Sequence, residues 1–266
     1  ICLNQGWIFV MEASGYEAVV DASAGSGVRV DLPHTWNAHD GQDGGDDYYR
    51  GICWYRRSFS YAPERERERV YVEFEAANSV ANVYVNGTHV GEHRGGYSTF
   101  RFDVTDELVT GSNELVVSVD NSHREDVYPL FADFTFYGGI YRDVYLVTVD
   151  PLHFDLLDYG SPGVYVSQER VTERDAELAI RARVRNAAQA SEATVRVALL
   201  DAAGKTVATG QTEEVVDGEG TLGVTLSVHA PHLWSTSDPY LYTCRVELFG
   251  SGELADSRAI PTGLRF

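Results

Sequence analysis

The sequence is poor in cysteine, methionine and basic residues. It holds three cysteines and one methionine in 266 residues, and 21 Lys and Arg against 40 Asp and Glu, which gives a formal net charge of −19 at pH 7. A chain this acidic repels the phosphate backbone of nucleic acids and the anionic head groups of membranes. We therefore expect no nucleic acid and no membrane among its partners, whereas an uncharged ligand is compatible with this charge.

The three cysteines do not form a recognisable pattern. Cys2, Cys53 and Cys244 lie far apart, without a CxxC pair and without histidines at the spacing of zinc ligands. The sequence thus predicts buried free thiols. It also has no apolar run long enough to span a bilayer and no basic segment followed by an apolar one at its start, so we expect a cytoplasmic bacterial protein unless a leader precedes Ile1.

The composition indicates strands and turns and not helices. Hydrophobic residues make up 44% of the chain and aromatic residues 12%, with 25 glycines, and no segment has a convincing helical period. The length suits two domains that each bury a core. Val149-Asp150-Pro151 ends a strand-like run, which predicts one domain over residues 1–149 and a second over 150–266.

Both domains are predicted to be β-sandwiches. Asn86-Gly87 separates two alternating runs and predicts a hairpin with a type I′ turn; Asn86-Gly87-Thr88 also fits a glycosylation sequon, but the turn is the favoured interpretation. The spacing of strands indicates a jelly-roll-like sandwich first and an immunoglobulin-like one second. The predicted strands include 53–61, 70–75, 81–85, 100–104 and 113–120, then 163–168, 176–186, 193–200, 221–228 and 240–248.

Residues 133–146 read Asp-Phe-Thr-Phe-Tyr-Gly-Gly-Ile-Tyr-Arg-Asp-Val-Tyr-Leu. From Ile140 the run is rich in β-branched and aromatic residues and predicts a strand, while Gly138-Gly139 permits a sharp turn or the close approach of another segment. Asp133 stands in an otherwise aromatic stretch. Burying a carboxylate there is costly, so Asp133 should be exposed, paired or placed to meet a ligand.

This stretch resembles the end of the first domain of glycoside hydrolase family 2 enzymes, and in particular those of the β-galactosidase type. Further motifs of the chain are similar to the family in the same order, so that the resemblance covers essentially the whole sequence. They are Leu32-Pro-His-Thr-Trp-Asn37, Trp54-Tyr-Arg-Arg-Ser-Phe59, Val83-Tyr-Val-Asn-Gly87, Pro231-His-Leu-Trp234 and Pro239-Tyr-Leu-Tyr242.

The resemblance implies a galactose-binding-domain-like sandwich and an immunoglobulin-like sandwich followed by a (β/α)8 barrel. In that family the two catalytic carboxyl groups of retaining hydrolysis belong to the barrel, so no catalytic residue is assigned here and this chain alone is expected to be inactive. The parent protein is expected to hydrolyse terminal β-galactosides. Its implied partners are a carbohydrate and its own barrel. Without the barrel, the surface that contacts it would be exposed, which would favour a homo-oligomer.

Asp133 is the first candidate site residue. By resemblance it matches an aspartate that reaches into the active site, where it helps to hold a sugar hydroxyl and a monovalent cation such as Na⁺; Mg²⁺ is the other ion considered for the full-length enzyme. A carboxylate suits either role, because it accepts two directed hydrogen bonds or provides a hard oxygen ligand. The alternative is a surface or loop-capping aspartate.

The stretch 37–51 has no apolar periodicity and predicts a long loop. Its end, residues 44–51, resembles the loop through which the family's first domain touches the sugar, and so Asp46 and Asp47 are predicted to bind substrate. Relatives often carry Asn where Asp46 stands, and a carboxylate cannot donate as an amide does. Two alternatives stay open, a merely solvated loop and a Ca²⁺ site without EF-hand spacing at Asp40, Asp43, Asp46 and Asp47.

The tryptophans are predicted to pack in the cores, although each could also be a stacking platform for a sugar; they are Trp7, Trp36, Trp54 and Trp234. No histidine pairs with a serine or cysteine as in a nucleophilic triad, and His93-Arg-Gly-Gly-Tyr97 resembles a structural turn of the family. Two other functions remain possible from the sequence. One is a free-standing carbohydrate-binding module, and the other is an adhesive pair of sandwiches at a cell surface.

Overall fold

A computed structural model describes residues 1–11, 14–20, 27–42, 47–65 and 67–266. The chain forms two compact units, Ile1–Thr148 and Val149–Phe266. The predicted all-β class is confirmed, since the described chain contains fifteen strands and a single short helix. The helix within the described ranges lacks the length and apolar character needed to cross a membrane.

Unit 1 is a sandwich of a six-stranded sheet, in the order β2-β1-β3-β8-β5-β6, and a three-stranded sheet, in the order β7-β4-β9. All neighbouring strands of the six-stranded sheet run antiparallel, and so do β4 and β7 in the three-stranded sheet. The elements are β1 (Trp7–Val10), α1 (Tyr16–Val20), β2 (Val28–Val30), β3 (Ile52–Tyr61), β4 (Arg69–Phe74), β5 (Val80–Val85), β6 (Thr88–Arg94), β7 (Phe100–Asp103), β8 (Gly111–Asp120) and β9 (Val144–Val149).

The core of unit 1 lies between these sheets. Alternate residues of β5, such as Ala81, Val83 and Val85, point into it because side chains of a strand alternate between faces. Phe74 stacks on Phe100 with ring centroids 4.9 Å apart, and burial of a side chain this size contributes about 1.5–3 kcal/mol. The predicted hairpin is confirmed, as Asn86 and Gly87 have φ of 48° and 89°, and a type I′ turn requires positive φ at both positions.

The strand predicted from Ile140 begins only at Val144, and the prediction was wrong for residues 140–143. Their backbone bonds go to separate segments and not to one neighbouring strand: the Ile140 carbonyl accepts from His34 N at 2.8 Å and the Asp143 carbonyl from Glu75 N at 3.0 Å. Gly139, with φ of 136°, precedes them. The β-branched composition of the run does not reveal these partners.

Unit 2 consists of β10 (Leu152–Phe154), β11 (Val164–Val171), β12 (Asp175–Leu200), β13 (Thr206–His229), β14 (Tyr242–Gly250) and β15 (Glu253–Thr262). Strand β12 pairs with β10, β11, β13 and β14, and β14 pairs with β15. Apolar residues from both halves of β12 and from β14 pack into one cluster, among them Ile180, Val197 and Val246. This arrangement is the immunoglobulin-like sandwich expected of the second domain.

Two predicted strands, 176–186 and 193–200, are in fact one strand, β12, with an irregularity between Asn186 and Ser191. The buried Asn186 amide donates to the Ser191 hydroxyl and the Val216 carbonyl at 3.0 and 3.1 Å. These bonds let the polar residues between the two halves continue the strand. Strands β10 and β15, and the first half of β13, were not predicted.

The cysteine prediction is correct for two positions of three. All three thiols are free, and Cys53 and Cys244 are buried, but Cys2 is exposed. Cys2 lies outside the named strands, at an isolated bridge with Tyr145. Burial, with a smaller contribution from Asp120, raises the pKa of the Cys53 thiol to about 12, and burial raises that of Cys244 to about 11.

Candidate functional site

Two buried asparagines hold together the loops at one end of unit 1. Asn37 and Asn121 are both inaccessible to solvent. Asn37 Oδ1 accepts from Asn121 Nδ2 at 3.2 Å and from the Gly138 amide at 2.8 Å. Asn121 Oδ1 accepts from the Gly51 amide at 2.8 Å, and its Nδ2 donates to the Phe136 carbonyl at 2.9 Å. The two amides therefore join the ends of the 37–51 loop to the 133–139 stretch.

Asp40 has a structural role in the same loop. Its Oδ2 accepts from the Tyr49 amide at 2.9 Å and its Oδ1 from Asn37 Nδ2 at 3.2 Å. A carboxylate that accepts several directed hydrogen bonds stabilises the backbone that donates them. Asp40 thus closes the 37–51 loop at its base.

The glycine pair before Ile140 allows a close approach of chain segments. A Cβ on Gly138 would overlap the indole ring of Trp36, and one on Gly139 would overlap the His34 carbonyl. Thr35 donates its hydroxyl to the Gly138 carbonyl at 2.7 Å. The predicted close approach at these glycines is confirmed, and it fixes the stretch 133–139 against residues 34–37.

Further hydrogen bonds fasten the 133–137 segment to the 37–51 loop. The Phe136 amide donates to the Tyr48 hydroxyl at 3.0 Å, and the Thr135 hydroxyl donates to the Gly41 carbonyl at 3.1 Å. Arg50 lies over the ring of Phe136, 4.9 Å from its centroid. Because rigid supports fix the position of a loop, side chains on 133–137 are presented in a defined geometry.

An open cavity of about 420 Å³ lies beside this segment. Four aromatic side chains line most of it, from three separate parts of unit 1. We call this cavity the aromatic cup; its lining residues are Thr35, Asn78, Tyr97, Phe134, Thr135, Tyr137 and Tyr141. Only the tryptophans were predicted as possible aromatic platforms, and these tyrosines were not, because nothing local distinguishes a cavity-lining tyrosine from a core one.

Asp133 is exposed, and no described residue forms a hydrogen bond or ion pair with it. It stands immediately before Phe134 of the aromatic cup. A carboxylate that is exposed and without a partner keeps all its lone pairs for a ligand or for water. Of the three options given by the sequence, pairing with another described residue is excluded, and its role in substrate or cation binding stays a prediction.

Asp46 and Asp47 of the long loop were both predicted to bind substrate, and the structure describes only Asp47. Asp47 is exposed and adjoins Tyr48, whose hydroxyl binds Phe136, so it belongs to the same end of unit 1 as Asp133. Asp46 lies outside the described residues. Their predicted contact with a sugar stays untested.

The Ca²⁺ alternative finds no support in the described part of the chain. No cluster of three or more acidic, histidine or cysteine side chains with metal-binding geometry occurs among the described residues. Asp40 is engaged with Asn37 and Tyr49, whereas Asp43 and Asp46 lie outside the described residues. The Na⁺ and Mg²⁺ expectations likewise stay predictions.

Three of the four tryptophans pack in the cores as predicted, whereas Trp234 is not part of the apolar cluster of unit 2. Trp7 and Trp54 are buried, at 0% and 7% exposure. Trp36 is half-buried and stacks on Phe9 at 6.0 Å. Trp234 is half-buried in unit 2, next to Gly263. None of the four lines the aromatic cup.

His34 and His93 are tied into the structure of unit 1. His34 Nδ1 lies 2.8 Å from the Tyr55 hydroxyl, and the His93 ring stacks on Phe100 at 4.1 Å. Burial lowers the pKa of both imidazoles from their ordinary value. Both are therefore neutral near pH 7, which fits packing and not the binding of an anion.

Two family models match the chain in sequence. The one described as "Glycosyl hydrolases family 2, sugar binding domain" matches residues 30–150, and the one described as "Glycosyl hydrolases family 2" matches residues 162–265. The first covers the asparagine pair, Asp133 and the aromatic cup. The second covers most of unit 2.

Individual proteins are similar along nearly all of the chain. A beta-glucuronidase of Bacteroides fragilis is 39% identical over 90% of this chain and 35% of its own length. A beta-galactosidase of Bacteroides ovatus is 31% identical over 98% of this chain and 31% of its own. The crystal structure of a Bacteroides uniformis beta-glucuronidase superposes with a TM-score of 0.92 at 32% identity, over 100% of this chain and 32% of its own.

The chain thus spans about a third of the length of the relatives it matches. The two consecutive family matches, the agreement in fold and the retained motifs all lead to the same assignment. The chain belongs to glycosyl hydrolases family 2.

Proposed function

We propose that this chain is the sugar-facing portion of a retaining glycoside hydrolase that releases a terminal β-linked sugar, and that Asp133 contacts that sugar. The observation that carries the proposal is the state of Asp133, an exposed carboxylate without a partner among the described residues, on a segment fixed by the Asn37 and Asn121 network. A carboxylate on a rigid support attracts sugar hydroxyls by its charge, and it accepts hydrogen bonds only from hydroxyls that point towards its lone pairs.

The two carboxyl groups that perform retaining hydrolysis, about 5–5.5 Å apart, are assigned to the rest of the parent protein, in a barrel that would be the partner of this chain. Relatives about three times as long as this chain support that assignment. The part of Asp133 is to hold the sugar in place for that chemistry. The parent is proposed to work in the cytoplasm.

For the substrate, terminal β-glucuronides are our first proposal. It is supported by the 39% identity with a protein named beta-glucuronidase and by the fold of a second one. Terminal β-galactosides, expected from the sequence motifs alone, are the second candidate and are supported by the relative named beta-galactosidase. The expectation of galactosides from sequence is not confirmed.

The test uses the full-length parent with p-nitrophenyl β-glucuronide and p-nitrophenyl β-galactoside. We expect hydrolysis of the glucuronide in preference, and a fall in kcat/KM of about 10- to 100-fold in Asp133→Ala, because a lost charged hydrogen bond to the substrate weakens transition-state binding by about 1.5–3 kcal/mol. Asp133→Asn should retain more activity, since its amide oxygen still accepts.

The matched control is Asp217→Ala, which removes another exposed carboxylate, in unit 2. It should leave kcat/KM unchanged. Full activity of Asp133→Ala on whichever glycoside is cleaved would remove Asp133 from the sugar pocket. Preference for the galactoside would establish the second candidate, and a parent that cleaves neither would refute the proposed function.

A further inference from the structure

The aromatic cup differs chemically from a site that binds sugar hydroxyls. Tyr137 donates its hydroxyl to the Gly41 carbonyl at 3.2 Å, and Tyr141 donates its own to the Gly96 carbonyl. The donor of each hydroxyl is therefore used within the protein. What these two residues offer to the cavity is ring surface.

The smaller polar side chains of the cup are committed in the same way. Thr35 and Thr135 donate to the Gly138 and Gly41 carbonyls at 2.7 and 3.1 Å, and Asn78 Nδ2 donates to the Tyr137 carbonyl at 2.7 Å. A sugar brings several hydroxyls that must be hydrogen-bonded when they leave water, and each one left without a partner costs free energy. The cup is therefore poorly suited to a sugar ring.

The cup is well suited to a flat apolar group. Tyr97 and Phe134 are 49% and 52% exposed, so their surfaces are accessible in this chain. Phe134 packs against Phe136 with centroids 5.2 Å apart. The volume of about 420 Å³ lies in the range of pockets for small ligands, which are mostly apolar and aromatic.

The hydrogen bonds that hold the rings also prepare the cup before a ligand arrives. Tyr141 is fixed at Gly96, which itself lies so close to Asn78 that a Cβ there would overlap the amide oxygen. Tyr137 is fixed at Gly41. Because Tyr137 and Tyr141 have little side-chain entropy left to lose, their contacts with a planar ligand are favoured.

We propose that the aromatic cup binds the aromatic aglycone of the glycoside substrate. The identity of the ligand as an aglycone rests on the proposed function, because Phe134 of the cup follows directly on Asp133, the residue assigned to the sugar. Tyr97 carries a hydroxyl for which the structure records no partner among the described residues, and it can donate to a substituent of the aglycone. The cup then makes aryl glycosides better substrates than alkyl glycosides.

The first test is a direct titration of this chain with 4-methylumbelliferone, an aromatic aglycone that is fluorescent. We expect saturable binding with a dissociation constant in about the millimolar range or tighter. The double variant Tyr97→Ala with Phe134→Ala should weaken it by about tenfold, the size expected for two lost aromatic contacts. Absence of saturable binding to the unaltered chain would overturn the proposal.

The matched control is Phe131→Ala, which removes a phenyl ring that is 90% exposed on the same segment but does not line the cup. It should bind the dye as the unaltered chain does. Equal weakening in both variants would show adhesion to exposed rings and would also overturn the proposal. Thermal unfolding of each variant verifies that it is folded.

The second test compares kcat/KM of the full-length parent on p-nitrophenyl and methyl glycosides of the same sugar. The double variant should lose about tenfold on the aryl substrate and little on the methyl one. An unchanged ratio would show that the rest of the protein covers the cup, which contradicts the proposal. If the parent cleaves no glycoside, the proposed function fails, and the dye titration alone decides whether the cup binds an aromatic ring.

Discussion

Asn121 Nδ2 donates to Asn37 Oδ1 at 3.2 Å, and both side chains are fully buried. The residues are 84 positions apart in the sequence. Through this pair the end of strand β8 supports both the loop that begins at Asn37 and the segment that carries Asp133. A buried amide is costly unless its hydrogen bonds are made, so the pair keeps these loops in one arrangement.

Asn121→Ala should therefore destabilise unit 1 by about 2–4 kcal/mol, because each buried partner left without its hydrogen bond costs about 1–3 kcal/mol. Among those partners are the Gly51 amide and the Phe136 carbonyl. Urea unfolding of the variant measures the loss. The neighbouring Ser122→Ala is the control and should change the free energy of unfolding by less than about 0.5 kcal/mol; equal values for both would refute this role of Asn121.

Gly138→Ala should also destabilise unit 1, by at least about 2 kcal/mol, since the new methyl group must displace the Trp36 indole from its packed position. The matched control is Gly223→Ala in strand β13, where an added Cβ meets no atom within 4 Å. That variant should unfold at the same urea concentration as the unaltered chain or a slightly higher one. A stable Gly138→Ala would mean that Trp36 can move freely.

Thiol titration with Ellman's reagent at pH 8 should count one reactive cysteine in the folded chain and three in denaturant. Cys2 is exposed, whereas Cys53 and Cys244 are buried, and burial raises their pKa values to about 12 and about 11. The thiolate is the reactive form, so these two stay inert. In Cys2→Ser the fast reaction should vanish; if it remains, a buried thiol is accessible.

Unit 2 should lose stability as the pH falls below about 6.5. Burial lowers the pKa of His153 from that value, while Asp256 and Arg185 are the charged groups that act on it. The unfolded chain then binds a proton that the folded chain excludes. The stability is fully present above pH 6.5 and falls by up to about 1.4 kcal/mol per pH unit below it.

Unfolding of the chain by urea at pH 7.5 and pH 5.5 measures this slope. His153→Gln should reduce the slope for unit 2, because its side chain does not titrate. A slope that His153→Gln does not change would assign the acid sensitivity to other groups.

Much of the architecture could be predicted because its signals are local. The hairpin at Asn86-Gly87 follows from the backbone that these two residues favour, and the alternation of Ala81, Val83 and Val85 follows from the period of a strand. The boundaries were less certain where a long-range contact decides them. Strand β9 starts at Val144 and not at Ile140, and β12 continues through Asn186, because of partners distant in sequence.

The sequence by itself determined the two β-rich halves, the acidic and cysteine-poor character, the turn residues and the motifs that place the chain in its family. Only the tertiary structure decided that Asn37 meets Asn121, that Asp133 is left without a partner among the described residues, and that Tyr97, Phe134, Tyr137 and Tyr141 line one cavity. Local patterns fix which face of a strand is apolar. Which distant groups share a buried hydrogen bond or a cavity depends on how the loops pack, because those free energies arise only between segments brought together by folding.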